Sequence, residues 1–250
     1  MAFLEETVRG IRKDIVKMIG KAASGHPGGS LSSAEILTLL YFEQMNVDEN
    51  NPHKEDRDRF VLSKGHAAPV LYATLAAKGF FPRAELENLR QLGSMLQGHP
   101  DMNKVPGVDM STGSLGQGIS VAAGMALAGK MDNKSHKIYA LLGDGECQEG
   151  QIWESFMAAA HYKLDNLTII IDNNGLQISG PVAQVMNMAP IAGKFEAFGW
   201  AAREINGNDM TEIVPALEKR GARPHCIVAH TNKGQGISFM QDTVDWHHKV

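Results

Sequence analysis

Apolar runs alternate with helix-like segments along most of this chain, and the clearest alternation lies in its second half. Two continuous apolar runs, 138–142 and 167–171, flank a segment with a predicted helix at about 148–163. Two apolar strands joined by a helix are typical of a parallel βαβ unit whose strands are buried on both faces. The pattern therefore predicts that the centre of the chain is a parallel sheet.

The same analysis predicts further elements on both sides of this unit. Strands are predicted at 60–62, 201–205 and 225–229. Helices are predicted at about 3–20, 32–44, 67–78, 82–91, 119–130, 190–198 and 209–220. A capping box of Ser32 and Glu35 is expected to start the second helix. Strands that alternate with helices predict the α/β class, as a doubly wound, mainly parallel sheet with helices on both faces.

The composition changes this picture little and excludes some functions. The chain has 250 residues, of which 43% are hydrophobic, enough to bury one large core, and we expect residues 1–250 to form a single domain. The formal net charge is −4, and positive and negative residues are interspersed along the chain. The sequence therefore shows neither a basic stripe for binding nucleic acid nor a polybasic patch for binding a membrane. No apolar run is long enough to span a bilayer, and the first residues lack signal-peptide character.

The two cysteines, Cys147 and Cys226, lack the CxxC spacing of zinc or redox motifs. A disulfide framework is not supported either. A free thiol at Cys147 indicates a reducing compartment, and we therefore expect a cytoplasmic protein.

Two polar residues follow the two central strands and suggest a metal site. Asp144 and Asn174 lie 174 − 144 = 30 positions apart, as one βαβ crossover would place them. Ligands of parallel sheets bind beyond the carboxyl ends of the strands, and a carboxylate and an amide oxygen there suit Mg²⁺. Gly143 and Gly145 permit close backbone approach, and the following helix directs its positive end to the same place. Each motif alone is also an ordinary turn or strand exit, but the pair at this spacing favours a metal-bridged diphosphate clamp.

Four histidines share a setting in loops after helices or strands: His26, His66, His99 and His247. A single loop histidine is usually just solvated, but four in such loops suggest one cleft. Neutral imidazoles there exchange protons with hydroxyls or a carbonyl near pH 7, whereas phosphate would favour the charged form.

Two other features each have a functional and a structural interpretation, and a third excludes one type of cofactor site. Lys64 and Lys233 lie in glycine-containing loops, where each either reaches a diphosphate or is simply solvated. Glu149 is either a site carboxylate or an ordinary acidic residue at a helix start. The glycines of 113–118 are spaced GxxGxG, which disfavours a nicotinamide dinucleotide site.

Six motifs, in this order, resemble the N-terminal domain of transketolase. They are Ser24-Gly-His-Pro-Gly-Gly29, Ser63-Lys-Gly-His66, Gly98-His-Pro100, Gly113-Ser-Leu-Gly-Gln-Gly118, Gly143-Asp-Gly145 and Asp172-Asn-Asn174. The resemblance covers nearly the whole chain. It implies a domain that binds thiamine diphosphate through Mg²⁺ or Ca²⁺ and takes part in transferring a two-carbon ketol unit between sugar phosphates.

The resemblance also implies residue roles. It makes Asp144, Asn174 and the backbone carbonyl of Leu176 the metal ligands. It gives catalytic contacts to His26, His99 and His247. It gives cofactor contacts to a larger set, namely His66, Lys64, Gly113, Leu115, Gly143, Gly145, Glu149, Asn174, Lys233 and His247.

A full-length transketolase adds a pyrimidine-binding domain and a C-terminal domain, so the resemblance implies the N-terminal subunit of a split enzyme. A partner subunit would supply the glutamate that activates the cofactor, in a dimer of heterodimers, and the isolated chain would turn over nothing. The chain departs from the family pattern at Met95, in the loop before His99, and at His248, where a glycine is usual.

Three alternatives remain open at this point. Deoxyxylulose-phosphate synthases and the α subunits of oxoacid dehydrogenases share the GDG and NN motifs, although the histidine motifs favour transketolase. The third alternative is a non-catalytic cofactor-binding subunit.

Overall fold

Five parallel strands form the central sheet of the computed structural model, which describes residues 1–218 and 221–248. They are β1 (Arg59–Leu62), β2 (Ile138–Gly143), β3 (Leu167–Asn173), β6 (Ala201–Asn206) and β7 (His225–His230). Their spatial order is β1-β2-β3-β7-β6. A small antiparallel hairpin of β4 (Leu176–Gln177) and β5 (Gly180–Pro181) follows β3.

Helices cover the sheet. They are α1 (Ala2–Ala22), α2 (Pro27–Leu31), α3 (Ala34–Leu39), α4 (Ala68–Lys78), α5 (Gln117–Met131), α6 (Gly150–His161), α7 (Val182–Val185), α8 (Ile191–Ala197) and α9 (Met210–Leu217). A π-helical turn, Leu40–Gln44, continues α3. Short 3₁₀ turns lie at Gly65–Ala67, Arg83–Asn88, Gly145–Gln148 and Asp245–His247.

Alternate side chains of each strand enter two separate cores. Phe60, Tyr139 and Ile170 pack in one core with α1, α3, α4 and α9. Their neighbours Val61 and Ala140 pack in the other core with α5, α6 and α8. Because both faces are covered, the prediction of a doubly wound parallel sheet is confirmed.

The predicted βαβ unit is also confirmed. β2 pairs in parallel with β3, from Ile138 opposite Leu167 to Gly143 opposite Asp172, and α6 joins the two strands. The strand ends are therefore level, which brings the loops after them together. No helix of the described residues is both long and apolar enough to cross a membrane.

The predicted capping box was wrong. Helix α2 begins earlier, at Pro27, and α3 follows Ser33, whose side chain makes no cap hydrogen bond. The Ser32 hydroxyl donates to the Gly29 carbonyl and to Asp172 instead. Glu35 is buried and forms an ion pair with Arg12. Partners that are distant in sequence outweighed the local cap.

Two other predicted helices are shorter than expected. The helix predicted at 82–91 is only the 3₁₀ turn Arg83–Asn88, because Leu89 is extended and Arg90 has a φ of 60°. The helix predicted at 209–220 ends at Leu217, and residues 219–220 of that prediction lie outside the described residues.

Candidate active site

A cavity of about 440 Å³ lies beyond the carboxyl ends of β1, β2, β3 and β7. Most of the residues singled out in the sequence line it: His26, Lys64, His66, Gly113, Leu115, Gly143, Asp144, Gly145, Glu149, Asn174, Leu176, Lys233 and His247. The loops that carry these residues are separate in sequence and meet because parallel strands end at the same edge of the sheet.

The two predicted metal ligands lie side by side in this cavity. Asp144 follows β2 and is buried, with 3% of its surface exposed. Its carboxylate accepts backbone N–H bonds from Gly145 at 2.8 Å and from Gly175, the residue after Asn174, at 2.6 Å. The loop after β3 is thereby fastened to the loop after β2, and Asp144 and Asn174 line the same cavity.

Among the described residues, the Asp144 carboxylate accepts hydrogen bonds from backbone amides only, and the positive charge of Lys233 offsets part of what raises its pKa. Burial, and secondarily the negative charge of Asp172, raise the pKa of Asp144 to about 6. Both effects disfavour the carboxylate form, and a bound divalent cation would relieve both.

Lys233 reaches the third predicted ligand from the loop after β7. Its ammonium donates to the Leu176 carbonyl at 2.8 Å and lies 2.8 Å from Nδ1 of His247. Burial lowers the pKa of Lys233 to about 8. The Leu176 carbonyl therefore faces a positive group, and a carbonyl oxygen keeps a second lone pair for another partner.

The histidines form a compact group over the cavity. The ring centroids of His26 and His66 are 5.1 Å apart, and His247 lies 5.6 Å from each of them. His248 lies 6.4 Å from His26. The Nδ1 atom of His26 is buried and has no hydrogen-bond partner among the described residues.

These imidazoles are neutral at physiological pH. Burial, aided by neighbouring cations and imidazoles, lowers the pKa of His66 to about 2, of His247 to about 3 and of His26 to about 4. The pKa of His99 is lowered by burial and by Arg90. A neutral imidazole has both a donor and an acceptor nitrogen, as proton exchange requires.

His99 is not among the residues that line the cavity, and it lies behind Gly113, which does line it. Gly113 has a φ of 153°, and a Cβ atom there would lie 3.0 Å from Cγ of His99, so a residue with a side chain would be strained at this position. The Tyr72 hydroxyl in α4 contacts the carbonyls of Gln97 at 3.0 Å and His99 at 2.9 Å. Helix α4 thus holds the His99 loop in place.

Lys64 has a partner that the sequence did not suggest. Its buried ammonium forms an ion pair with Asp172 and donates to the Gly29 carbonyl at 2.8 Å. The predicted contact with a diphosphate remains a prediction, and the charge of Lys64 is already balanced. A carboxylate at the end of a buried apolar run was the available signal for this pair, because such a group needs a buried partner.

A second missed residue is Glu146, in the 3₁₀ turn after Asp144. It is buried and accepts hydrogen bonds from the Ser63 hydroxyl, the Gly116 amide at 2.9 Å and the Gly143 amide at 3.0 Å. Burial raises its pKa. Glu146 thus ties together three of the loops that form the cavity, whereas Glu149 lies at the cavity wall just before α6.

The donor set suits a hard cation. Within residues 1–218 and 221–248, no group of three histidine, cysteine or acidic side chains could hold a metal ion by itself. The oxygens available at the cavity are instead one carboxylate, one amide and one backbone carbonyl. Oxygen donors of this kind fit Mg²⁺ or Ca²⁺ with water and phosphate completing the coordination, so the residues present fit such a group.

Comparison with known proteins gives a consistent result. Residues 4–249 match the family model described as transketolase, thiamine diphosphate binding domain. The chain is 47% identical over 242 residues to an apulose-4-phosphate transketolase subunit of Phocaeicola vulgatus, covering 96% of this chain and 86% of that protein. It is 47% identical over 247 residues to the 6-deoxy-6-sulfo-D-fructose transketolase subunit SqwG of Clostridium sp., covering 98% of this chain and 90% of that protein.

Longer relatives match over part of their length. Human transketolase is 44% identical over 247 residues, which is 98% of this chain and 40% of the human protein. The crystal structure of Campylobacter jejuni transketolase superposes with a TM-score of 0.95 at 36% identity, covering 100% of this chain and 40% of that one.

Proposed function

This chain belongs to the transketolase family, as its thiamine-diphosphate-binding domain, and from that premise we propose that it is the cofactor-binding subunit of a two-subunit transketolase. In the proposed reaction a two-carbon ketol unit passes from a ketose to an aldose. The supporting observation is the single cavity in which the Asp144 carboxylate, the Asn174 amide and three neutral imidazoles converge.

The names of the relatives support the two-subunit arrangement. Two relatives named as transketolase subunits are covered over 86% and 90% of their length, whereas human transketolase is covered over 40%. We therefore assign the pyrimidine-binding domain to a partner subunit, and the assembly to a dimer of heterodimers. Because Cys147 and Cys226 are free and buried, we place the complex in a reducing compartment, the cytoplasm.

Asp144, Asn174 and the Leu176 carbonyl would hold Mg²⁺, and through it the diphosphate. When bound, thiamine diphosphate supplies the electron sink that cleavage of a carbon–carbon bond next to a carbonyl requires. Gly143 and Gly145 leave room for the phosphates against the backbone. Gly113 and Leu115 would face the rings of the cofactor.

The histidines would divide between two tasks. His66 and His247, with Lys233, surround the metal side of the cavity and would contact the diphosphate. His26 and His99 would face the sugar, where neutral imidazoles accept and return protons of its hydroxyl and carbonyl groups. Because burial keeps these rings neutral, they serve this role across the physiological pH range.

The donor sugar is expected to carry a terminal anion. Two relatives are named for a phosphorylated and a sulfonated sugar. Among the described residues that line the cavity, the only side-chain cations are Lys64 and Lys233, one paired with Asp172 and the other on the Leu176 carbonyl. The groups that bind the sugar's anion would therefore come mainly from the partner subunit.

Reconstitution tests this proposal. The purified chain is mixed with a candidate subunit that carries a pyrimidine-binding domain, and ketol transfer is measured with fructose 6-phosphate as donor and an aldose phosphate as acceptor. We expect turnover only when both subunits, Mg²⁺ and thiamine diphosphate are present. Pyruvate serves as a control donor, because its use would indicate a deoxyxylulose-phosphate synthase or an oxoacid dehydrogenase. Ketol transfer by the isolated chain would contradict the proposed division between subunits.

A further inference from the structure

Asp172 lies at the carboxyl end of β3, two residues before Asn174, and has no role in the function proposed above. Its side chain is fully buried. One carboxylate oxygen, Oδ2, accepts hydrogen bonds from Ser32 at 2.7 Å, Ser33 at 3.4 Å, Asn174 at 3.0 Å and Lys64. The other oxygen accepts from the Thr231 hydroxyl. Asp172 therefore joins the loops after β1, β3 and β7 to the segment between α2 and α3.

The bond to Asn174 sets the direction of its amide. The Nδ2 atom of Asn174 donates to Asp172, so the amide oxygen on the other branch points away from that carboxylate. The same oxygen accepts the backbone N–H of Leu176 at 3.2 Å. The oxygen end of the Asn174 side chain is thereby presented towards the Leu176 segment.

The main chain of Asp172 acts on the other predicted ligand. Its carbonyl accepts the backbone N–H of Asp144 at 3.2 Å. One residue therefore bonds to both side-chain ligands of the proposed cation, through its carboxylate to Asn174 and through its backbone to Asp144. Lys64 balances the charge of Asp172, which is not among the residues that line the cavity, whereas Asp144 is one of them.

We infer that Asp172 is a positioning residue, which orients the Asn174 amide and the Asp144 loop for a divalent cation, with Lys64 as its supporting partner. This inference rests on the proposed function. Residues that hydrogen-bond to metal ligands fix ligand orientation, and their loss typically lowers metal affinity roughly 10- to 100-fold.

Two simpler explanations make different predictions. If Asp172 only stabilised the fold, its loss would lower thermal stability without changing cation affinity in the folded protein. If it only added negative charge, its loss would weaken Mg²⁺ and Ca²⁺ alike. A positioning role weakens Mg²⁺ more than Ca²⁺, because Mg²⁺ demands a near-ideal octahedron and Ca²⁺ accepts irregular coordination.

The experiment measures Mg²⁺- and Ca²⁺-dependent binding of thiamine diphosphate by calorimetry, in the complex with the partner subunit. For Asp172→Ala we expect the Mg²⁺ concentration at half-saturation to rise about 10- to 100-fold, with a smaller rise for Ca²⁺. Ser32→Ala is the matched control, because it removes one hydrogen bond to the same Asp172 oxygen without touching Asn174. Its half-saturation is expected to stay within about twofold of the wild type, since Asp172 keeps its other donors.

If Asp172→Ala fails to fold, Asn174→Asp provides a second test of the inference. This variant retains an oxygen ligand for the cation and adds a negative charge. It also replaces the nitrogen that bonds to Asp172 by an oxygen. We expect weaker Mg²⁺ binding, whereas an effect of charge alone would give tighter binding.

Tighter Mg²⁺ binding by Asn174→Asp would overturn the inference. So would a folded Asp172→Ala complex with unchanged Mg²⁺ binding, or with equal losses for the two cations. Failure of the wild-type complex to bind thiamine diphosphate with either cation would instead overturn the proposed function.

Discussion

Buried aspartates and a cavity lie at each of the two edges of the sheet, but the aspartates have different roles at the two edges. At the amino edge, Asp58 accepts backbone N–H bonds from Asn46 at 2.9 Å and Lys137 at 2.7 Å. Asp109 pairs with Arg57 and accepts the Phe60 amide at 2.7 Å. These carboxylates hold the segments around β1 and β2 together, and their role is structural.

At the carboxyl edge the two aspartates differ from each other. Asp172 is held by an ammonium, hydroxyls and an amide, and although burial opposes ionisation, Lys64 and these donors lower its pKa. Asp144 has only backbone amides as hydrogen-bond donors among the described residues, and its pKa is raised to about 6.

The amino-edge cavity is the larger one, at about 830 Å³ against about 440 Å³. Size therefore does not mark the candidate active site. A buried carboxylate whose pKa is raised by its surroundings does, because the charged form of such a group is costly unless it binds a cation.

The largest expected effect tests this contrast directly. The carboxylates of Asp58 and Asp144 each accept two backbone N–H hydrogen bonds. Replacement by asparagine therefore removes one acceptor oxygen at either position. We expect Asp144→Asn to weaken Mg²⁺-dependent binding of thiamine diphosphate by more than the roughly 10- to 100-fold typical of supporting groups, because a metal ligand is lost. Calorimetry on the reconstituted complex measures this change.

Asp58→Asn is the control. It is expected to cost about 1–3 kcal/mol in the free energy of unfolding, through the unsatisfied amide, and to leave cofactor binding unchanged. Binding by Asp144→Asn equal to that of the wild type would remove the distinction between the two edges.

A smaller effect is expected from an added methyl group at each edge. A Cβ atom at Gly65 would lie 2.7–2.8 Å from atoms of Thr112 and Gly113, including backbone. Overpacking of this kind costs about 1–3 kcal/mol, and we expect Gly65→Ala to lower stability and to displace Gly113 from the cavity wall. Chemical denaturation measures the first effect and cofactor titration the second.

Gly129, at the amino edge, provides the matched control. Its Cβ atom would meet only the end of the His136 side chain, at 2.8 Å, and then more distant side-chain atoms. The gain of about 1 kcal/mol for alanine over glycine in a helix offsets a small movement of that ring. Equal losses of stability for Gly65→Ala and Gly129→Ala would show that the carboxyl edge is not more tightly packed than the amino edge.

The smallest expected effect concerns protons. The folded-state pKa of His66 is about 2, below the ordinary value of 6.5, so below pH 6.5 the unfolded chain binds a proton that the folded chain does not. The stability that His66 contributes is thus complete above about pH 6.5 and is lost as the pH falls. Asp144 acts in the opposite sense, because its raised pKa makes the folded chain bind the extra proton between pH 4 and 6.

We therefore expect His66→Asn to reduce the proton uptake on unfolding at pH 5.5 by about one proton, which denaturation at several pH values measures. Asp144→Asn should increase that uptake. An unchanged pH dependence in both variants would show that these groups are not buried as the structure indicates.

Much of the fold followed from local patterns. The apolar runs at 138–142 and 167–171 predicted two buried parallel strands, and both strands occur there. Given parallel strands, the meeting of Asp144 and Asn174 at one edge required no further information, because consecutive strands of a βαβ unit end side by side.

Other features could not be predicted from local patterns. The pair of Lys64 and Asp172 joins positions 172 − 64 = 108 residues apart and depends on β1 lying beside β2 and β2 beside β3. The capping box at Ser32 failed for the same reason, since its hydroxyl lies against the buried Asp172. Glu146 reaches the cavity because a 3₁₀ turn, rather than the start of α6, follows Asp144.

The sequence by itself determined the class of fold, the edge of the sheet at which the polar loops meet and the family of the site. Periodicity and loop composition are local properties, and they are sufficient for these conclusions. The tertiary structure alone decided which charges balance each other, so that Asp172 supports the site while Asp144 remains available to a cation. Charge balance depends on distances through space and on burial, and neither is encoded in the spacing of residues along the chain.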